Sequence, residues 1–206
     1  MSQIKIPLSS ARDASARSNT YRLLARLWQR ELDAKLLEVL QDPSLSESFL
    51  AAGGVLPTND ADTVEQLAID FCQLFVGPKN HLPPYQSVWE SGQLDGEATV
   101  SMRQFCEVVH FEPADPASGM LLDHLGVQLD VMAHILQLVA ESEGESLEHL
   151  LDIGRCYAVR HLLWPGELLT ASASRATTDF YRCLPTLTRQ FLELETVGLS
   201  EFSPPE

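Results

Sequence analysis

The stretch Leu122-Asp123-His124-Leu125-Gly126-Val127-Gln128-Leu129 places an Asp-His pair inside a strongly apolar helical pattern. At about 100° of rotation per residue, its apolar side chains share one broad arc with those of the following turns. His124 and Gln128 fall within that arc, one turn apart, whereas Asp123 points to the polar side. The pattern predicts a core-facing helix that starts near Ser118 and ends near Ser142. Its apolar positions are Leu121, Leu125, Leu129, Met132, Ile135, Leu136 and Val139.

Two polar side chains on a core-facing stripe need hydrogen-bond partners, because an unpaired buried polar group costs roughly 1–3 kcal/mol. His124 and Gln128 can satisfy each other and the nearby backbone, which gives a helical interaction module with a closed core network. They can instead bind a small molecule or a nucleotide. The sequence leaves both interpretations open.

The rest of the chain has helical periodicity as well, and no stretch alternates polar and apolar residues long enough to predict a sheet. We therefore predict the all-α class, with roughly seven to nine helices in one domain over residues 1–206. The core is expected over about 18–195, between loose tails. Several residues predict helix boundaries. The predicted starts are Ser9 or Ser10, Asp33, Asp62 or Thr63, and Ser172 or Ser174; Pro43 and Gly77-Pro78 are predicted ends or interruptions, and Pro185 is a predicted kink or break.

Between Gly77 and about Asp95 the helical periodicity disappears. Irregular segments of this length are uncommon within a compact domain and are often functional. A loop anchored by its own aromatic side chains is the alternative interpretation. The residues that give this segment its character are Pro78, Pro83, Pro84, Tyr85, Val88 and Trp89.

The composition excludes several classes of protein. A net charge of −15 argues against nucleic acid as a partner, because phosphates require a basic surface. The four cysteines form no metal-spaced cluster and fit a reduced compartment. Neither a hydrophobic signal core nor an apolar run of the roughly 20 residues that a membrane span needs is found. We therefore expect a cytoplasmic protein without membrane insertion.

Nothing in the sequence indicates catalysis or a metal site. Helix neighbours point about 100° apart, so Asp123 cannot orient His124 as in a catalytic triad. Gln128 stands where a helical zinc pair would need its second ligand. A Gly-rich phosphate loop and a G-x-S-x-G elbow are both missing. We predict no catalytic residue, no metal and no cofactor.

Taken in order, several motifs resemble the TorD/DmsD family of redox-enzyme maturation chaperones. The likeness spans about residues 18–195, and the combination is more specific than any single motif. The matching segments are Tyr21-Arg22-Leu23-Leu24-Ala25-Arg26-Leu27, Asp70-Phe71-Cys72-Gln73-Leu74-Phe75-Val76-Gly77-Pro78, Pro83-Pro84-Tyr85-Gln86-Ser87-Val88-Trp89, Asp123-His124-Leu125 with Gln128-Leu129, Arg160-His161-Leu162-Leu163-Trp164-Pro165 and Phe180-Tyr181-Arg182-Cys183-Leu184.

The resemblance implies an all-helical cytoplasmic protein that is not an enzyme. It implies binding of the twin-arginine signal peptide of a molybdenum-cofactor oxidoreductase, such as a trimethylamine-oxide or dimethyl-sulfoxide reductase, and some members of the family bind the body of the enzyme as well. The chaperone would hold this precursor for cofactor insertion before export. A monomer or a homodimer formed by helix exchange is compatible with the family.

The same resemblance implies a peptide site with carboxylates beside an apolar groove, because arginine pairs well with carboxylate and an apolar segment fits a hydrophobic groove. Glu90, Asp95, Asp115 and Asp123 are the candidate acids. The predicted signal-peptide-binding residues are Asp123, His124, Leu125, Gln128, Phe75, Gly77, Pro78, Pro84, Tyr85, Ser87, Val88 and Trp89.

Overall fold

The computed structural model describes residues 11–113 and 119–197, where the regular secondary structure is helical, and this confirms the all-α prediction. The predicted starts at Ser9, Ser10 and Ser118, the candidate acid Asp115 and the tail after residue 197 lie outside the described residues. The helices are α1 (Ala11–Gln29), α2 (Ala34–Leu40), α3 (Pro43–Ala51), α4 (Ala61–Phe71), α5 (Gln86–Ser91), α6 (Glu97–Val108), α7 (Leu125–Ala140), α8 (Gly144–His161), α9 (Gly166–Arg175) and α10 (Asp179–Glu195).

Several helix boundaries follow from local side-chain chemistry. Asp33 caps α2 as predicted, because its carboxylate accepts the backbone N–H of Leu36 at 2.7 Å. The cap of α4 is Asp60, which accepts the N–H of Thr63 at 2.9 Å, so α4 starts before the predicted Asp62 or Thr63. Pro43 occupies the first position of α3, where its missing N–H costs nothing.

The predicted C-terminal helix is in fact two helices, α9 and α10. Buried Asp70 accepts the backbone N–H groups of Thr177 and Thr178, at 3.1 and 2.8 Å, and the Thr178 hydroxyl at 2.6 Å. This carboxylate fixes the backbone at Thr177 and Thr178, where the chain bends, and places a negative charge at the N-terminus of α10. α10 then continues through Pro185 without breaking. Ten described helices result where roughly seven to nine were expected.

The chain divides into two compact units. The first combines Met1–Gln29, Tyr85–Pro165 and Leu192–Glu206, and the second combines Arg30–Pro84 and Gly166–Phe191. The expectation of a single domain stays a prediction. Within the described ranges, no helix is both long and apolar enough to span a lipid bilayer.

In the first unit, α7 forms the centre of the core and packs along α1. Eleven of the sixteen residues of α7 are buried, so the helix is enclosed on most of its faces. The Ser18 hydroxyl donates to the carbonyl of Ala133 at 2.8 Å. At the other end of the contact, the Gln29 amide donates to the carbonyl of Gly126 at 2.9 Å. Arg17 Nε donates to a carboxylate oxygen of Glu195 at 2.8 Å, which ties α1 to the end of α10.

In the second unit, aromatic side chains fill the core. Phe71 lies 5.8 Å from Tyr181 and 5.3 Å from Phe75, measured between ring centroids. The Tyr181 hydroxyl accepts the backbone N–H of Leu32 at 2.9 Å, which satisfies a buried donor. A π-helical turn (Cys72–Val76) extends α4, and it ends at the predicted Gly77, whose N–H donates to the carbonyl of Cys72 at 2.7 Å.

We expect Gly126→Ala to lower the free energy of unfolding by about 1–3 kcal/mol in urea titrations. A Cβ at this position would lie 2.5 Å from Gln29 Cγ and 3.0 Å from the carbonyl oxygen of Ala25, so α1 and α7 would have to separate. Gly154→Ala is the matched control, because its Cβ would meet Ile135 Cγ2 at 3.4 Å, an ordinary contact. The close approach of α1 and α7 would be contradicted if both variants had the same stability.

Candidate functional site

The Asp-His pair lies before α7 rather than inside it. α7 begins at Leu125, and His124 is its N-cap with an extended backbone (φ −66°, ψ 132°). The ring Nδ1 of His124 accepts the backbone N–H of Gly126 at 3.0 Å. Residues 119–124 are not helical, so the helix predicted to start near Ser118 begins later, and the predicted outward direction of Asp123 is wrong. Asp123 is fully buried. The helical wheel did not predict this, because Asp123 lies outside the helix.

Asp123 holds the segment Tyr85-Gln86-Ser87 by two hydrogen bonds. Its backbone carbonyl accepts the N–H of Gln86 at 3.0 Å, and its Oδ2 accepts the N–H of Ser87 at 3.0 Å. The second carboxylate oxygen, Oδ1, is buried and has no hydrogen-bond partner among residues 11–113 and 119–197. A buried carboxylate oxygen without a donor is costly, and such an atom calls for an explanation.

Part of the predicted irregular segment is helical. Helix α5 begins directly after Tyr85 and carries Ser87 in its first turn. The Tyr85 ring packs edge-to-face on the His124 ring, with centroids 5.1 Å apart. Burial lowers the pKa of His124 to about 3, so this imidazole is neutral at physiological pH. Burial and the nearby charge of Asp123 raise the pKa of Tyr85.

Gln86 is the centre of a buried polar network that the sequence did not predict. Its Oε1 accepts Gln128 Nε2 at 2.6 Å and His161 Nδ1 at 2.9 Å. Its Nε2 donates to the carbonyl of Arg160 at 2.9 Å and to a Glu90 carboxylate oxygen at 2.8 Å. These partners lie up to 75 positions away in sequence, so helical spacing gave no signal for them. All of them belong to the first unit.

One donor sets the direction of every hydrogen bond in this network. The indole N–H of Trp164, which can only donate, donates to Gln128 Oε1 at 2.8 Å. Gln128 Nε2 must then meet Gln86 Oε1, and His161 Nδ1 must carry the proton that Gln86 Oε1 accepts. His161 Nε2 therefore accepts the hydroxyl of Ser101, 3.0 Å away. Burial, with a smaller contribution from the charge of Arg160, lowers the pKa of His161 to about 3.

The contacts of Ser101, His161 and Gln86 follow the order of a serine triad, but their chemistry does not support nucleophilic catalysis. A pKa near 3 makes His161 a poor base at neutral pH. Gln86 offers a neutral amide where a triad has a carboxylate, so a protonated imidazole would gain little stabilisation. Within the described residues, no group of three or more His, Cys, Asp or Glu side chains could hold a metal ion.

The predicted site residues fall into both compact units. Asp123, His124, Leu125, Gln128 and Ser87 are buried in the first unit, where the contacts above join them. Tyr85, Val88 and Trp89 belong to the same unit and are half-buried. Phe75 and Pro84 are buried in the second unit, where Gly77 is half-buried and Pro78 is exposed.

The alternative of a small-molecule or nucleotide site at His124 and Gln128 gains no support from these contacts. The amide oxygen and nitrogen of Gln128 are both engaged inside the fold, and its backbone carbonyl accepts the Tyr157 hydroxyl at 2.8 Å. His124 uses Nδ1 to cap α7. Both residues therefore support the surrounding structure.

Comparison with known proteins identifies relatives over most of the chain. Residues 27–168 match the model of the family described as nitrate reductase delta subunit. The chain is 29% identical to the chaperone protein YcdY of Escherichia coli (strain K12), covering 88% of this chain and 95% of the relative. It is 30% identical to the chaperone protein TorD of Shewanella piezotolerans, covering 91% and 94%, and 26% identical to TorD of Shewanella pealeana, covering 89% of each. These relatives are named as chaperones, in agreement with the prediction that the chain is not an enzyme.

We expect Gln86→Leu to destabilise the fold by about 2–4 kcal/mol, because it leaves the Gln128 amide, the His161 N–H and the Arg160 carbonyl without their partner. Urea titration measures this loss, and Gln93→Leu, at an exposed position near the end of α5, is the control. Equal stability of the two variants would contradict the central position of Gln86 in the network.

We expect the free energy of unfolding to fall as the pH is lowered from 7 to 5. The unfolded chain protonates its histidines near pH 6.5, whereas folded His124 and His161 stay neutral down to about pH 3. Their contribution is thus present above pH 6.5 and is lost below it, at about 2 kcal/mol for each histidine between pH 7 and 5.

Urea titrations at several pH values test this dependence. His161→Gln should remove about half of it, and His149→Gln, at an exposed position of α8, is the control. Stability that did not change over this pH range would contradict the neutral buried state of both rings.

Proposed function

The chain belongs to the nitrate reductase delta subunit family, which includes the TorD-like redox-enzyme maturation chaperones, and from this membership we propose that it binds the twin-arginine signal peptide of a molybdenum-cofactor oxidoreductase. A trimethylamine-oxide or dimethyl-sulfoxide reductase is the class of client. In this proposal the chaperone acts in the cytoplasm and holds the precursor until its cofactor is inserted. It works without catalysing a reaction.

The proposal is supported above all by Asp123. The Oδ2 atom of this buried carboxylate accepts the Ser87 N–H, while Oδ1 has no donor in the part of the chain that the structure describes. A guanidinium group supplies several N–H donors in a planar arrangement and forms strong charge-assisted hydrogen bonds with carboxylates. An arginine of the client peptide would supply the donor that Oδ1 lacks.

Tyr85 is the residue that we expect the peptide to displace. It is half-buried, lies close enough to Asp123 for the carboxylate to raise its pKa, and packs on His124. Val88 and Trp89 follow on α5 and are also half-buried, so they are the expected contacts for the apolar part of the peptide. The net charge of −15 favours the approach of a basic peptide.

The other predicted site residues take different parts in this proposal. His124, Leu125 and Gln128 are buried and hydrogen-bonded or packed within the fold, so we expect them to position Asp123 and α5 rather than touch the peptide. Direct contact by Phe75, Gly77, Pro78 and Pro84 stays a prediction, as does the choice between a monomer and a helix-exchanged dimer.

A fluorescein-labelled synthetic peptide with two adjacent arginines, followed by an apolar segment of about 7–15 residues, tests the proposal. We expect micromolar or tighter binding to the full chain by fluorescence anisotropy. The same peptide with both arginines replaced by glutamine should bind at least about tenfold more weakly. Equal binding of the two peptides would overturn the proposed function.

Asp123→Asn tests the assignment of the site. This isosteric change keeps an oxygen for the Ser87 N–H but removes the charge, and we expect about tenfold weaker peptide binding without loss of the fold. Asp62→Asn, at an exposed position of α4, is the matched control, and thermal unfolding verifies that both variants are folded. If Asp123→Asn bound the peptide as tightly as the wild-type chain, the role of Asp123 would be disproved while the function could stand.

A further inference from the structure

A pocket of about 720 Å³ opens in the first unit, between the start of α6 and the second half of α8. It is separate from the Asp123 carboxylate, which is not among its lining residues. Six of the lining side chains determine what it can bind. They are Asp95, Glu97, Val100, Ser101, Phe105 and Arg160.

The wall of this pocket is apolar and held in place. Val100 leaves 49% of its surface exposed, and Phe105 is half-buried beside it. The Phe105 ring makes edge-to-face contacts with Tyr157 at 5.2 Å and with His161 at 5.4 Å, between centroids. An aromatic ring fixed by two neighbours offers a preorganised surface for an aliphatic stem or a cationic group.

Ser101 can only accept hydrogen bonds from a ligand in the pocket. The chain of hydrogen bonds that begins at the Trp164 N–H leaves His161 Nε2 as an acceptor, so the Ser101 hydroxyl proton is committed to it. The lone pairs of Ser101 Oγ that remain can only accept from a ligand. A ligand at this end of the pocket must therefore be a hydrogen-bond donor.

The charges around the opening favour a cation. Asp95 and Glu97 are exposed and carry two carboxylates, and Arg160 is exposed on α8 with one positive charge. These three groups together carry a formal charge of −1. The positive charge of Arg160 weakens the attraction of the two carboxylates for a cation but does not reverse it. A substitution at Arg160 can therefore measure this effect separately.

We propose that this pocket binds an arginine side chain of the client peptide, with the guanidinium between Ser101 Oγ and the carboxylates of Asp95 and Glu97 and the stem along Val100 and Phe105. The assignment rests on the proposed function, because it names a place for one residue of the same peptide. Arginine fits better than lysine, since a planar guanidinium can stack on an aromatic ring while donating to several acceptors at once.

N-acetyl-arginine amide, titrated into the full ¹⁵N-labelled chain and followed by NMR, tests the pocket without any peptide. We expect saturable shifts at the amides of residues 96–105, with a dissociation constant on the order of millimolar for a ligand of this size. N-acetyl-leucine amide should give no comparable shifts. If the arginine derivative produced no saturable shifts there, the inference would be overturned, whatever the peptide does.

Three variants check that the charges act as described. Asp95→Asn combined with Glu97→Gln should weaken binding of N-acetyl-arginine amide about three- to tenfold, whereas Arg160→Gln should tighten it about twofold. Glu107→Gln, exposed on the same helix but outside the pocket, is the control and should leave the affinity unchanged. An unchanged affinity for the Asp95/Glu97 variant would contradict the inference.

The labelled peptide then shows whether this arginine subsite serves the proposed function. A double-mutant cycle compares single Arg→Gln peptides on the wild-type chain and on the Asp95/Glu97 variant. We expect the effects of one arginine and of the two carboxylates to be non-additive. Strict additivity for both arginines would overturn the subsite even though the peptide binds. Absence of any peptide binding, together with NMR shifts in the pocket, would refute the proposed function and the peptide as occupant.

Discussion

Two hydrogen bonds from the backbone of Gln86 and Ser87 to Asp123 decide the arrangement of the first unit. They hold Asp123 in a turn, closed by the His124 N–H on the Leu121 carbonyl at 3.1 Å, and His124 after it is extended, so that α7 begins at Leu125. This start makes His124 the N-cap and places Gln128 one turn inside α7, against Gln86. The buried network of Gln86, Gln128, His161 and Trp164 depends on that register, and so does the packing of α7 along α1.

The same constraint explains which features the sequence could predict. The all-α class, the cap at Asp33 and the helix end at Gly77 depend on local periodicity and local side-chain chemistry, which a single sequence contains. The start of α7 does not depend on such local signals. Leu121, Leu122, Leu125 and Leu129 continue a helical pattern through the Asp-His pair, and only a tertiary contact 36 positions away in sequence interrupts it. Histidine is also outside the usual set of N-cap residues, so no boundary signal was available.

The candidate site was predicted in a similar, partial way. The sequence identified the Asp-His pair and the segment that contains Tyr85-Gln86-Ser87, and in the structure Asp123 bonds the backbone of Gln86 and Ser87. It did not identify Gln86 or His161 as members of the site, because Gln86 lies in the predicted irregular segment and His161 looks like an ordinary residue of a helix. Which atom donates in each hydrogen bond of the network does not follow from the positions of the side chains alone. It follows from the Trp164 N–H, which can only donate and therefore decides how each amide and ring is oriented. The Trp164 N–H thus determines that Ser101 Oγ can only accept hydrogen bonds from a ligand in the pocket.

The first unit is assembled from three parts of the chain that are far apart in sequence. Arg17 meets Glu195 across 178 positions, and Ser18 meets Ala133 across 115. Contacts of such long sequence separation slow folding, because the intervening chain must be closed into a loop first. The contact that joins α1 to the end of α10 therefore forms during synthesis only after residue 195 has left the ribosome.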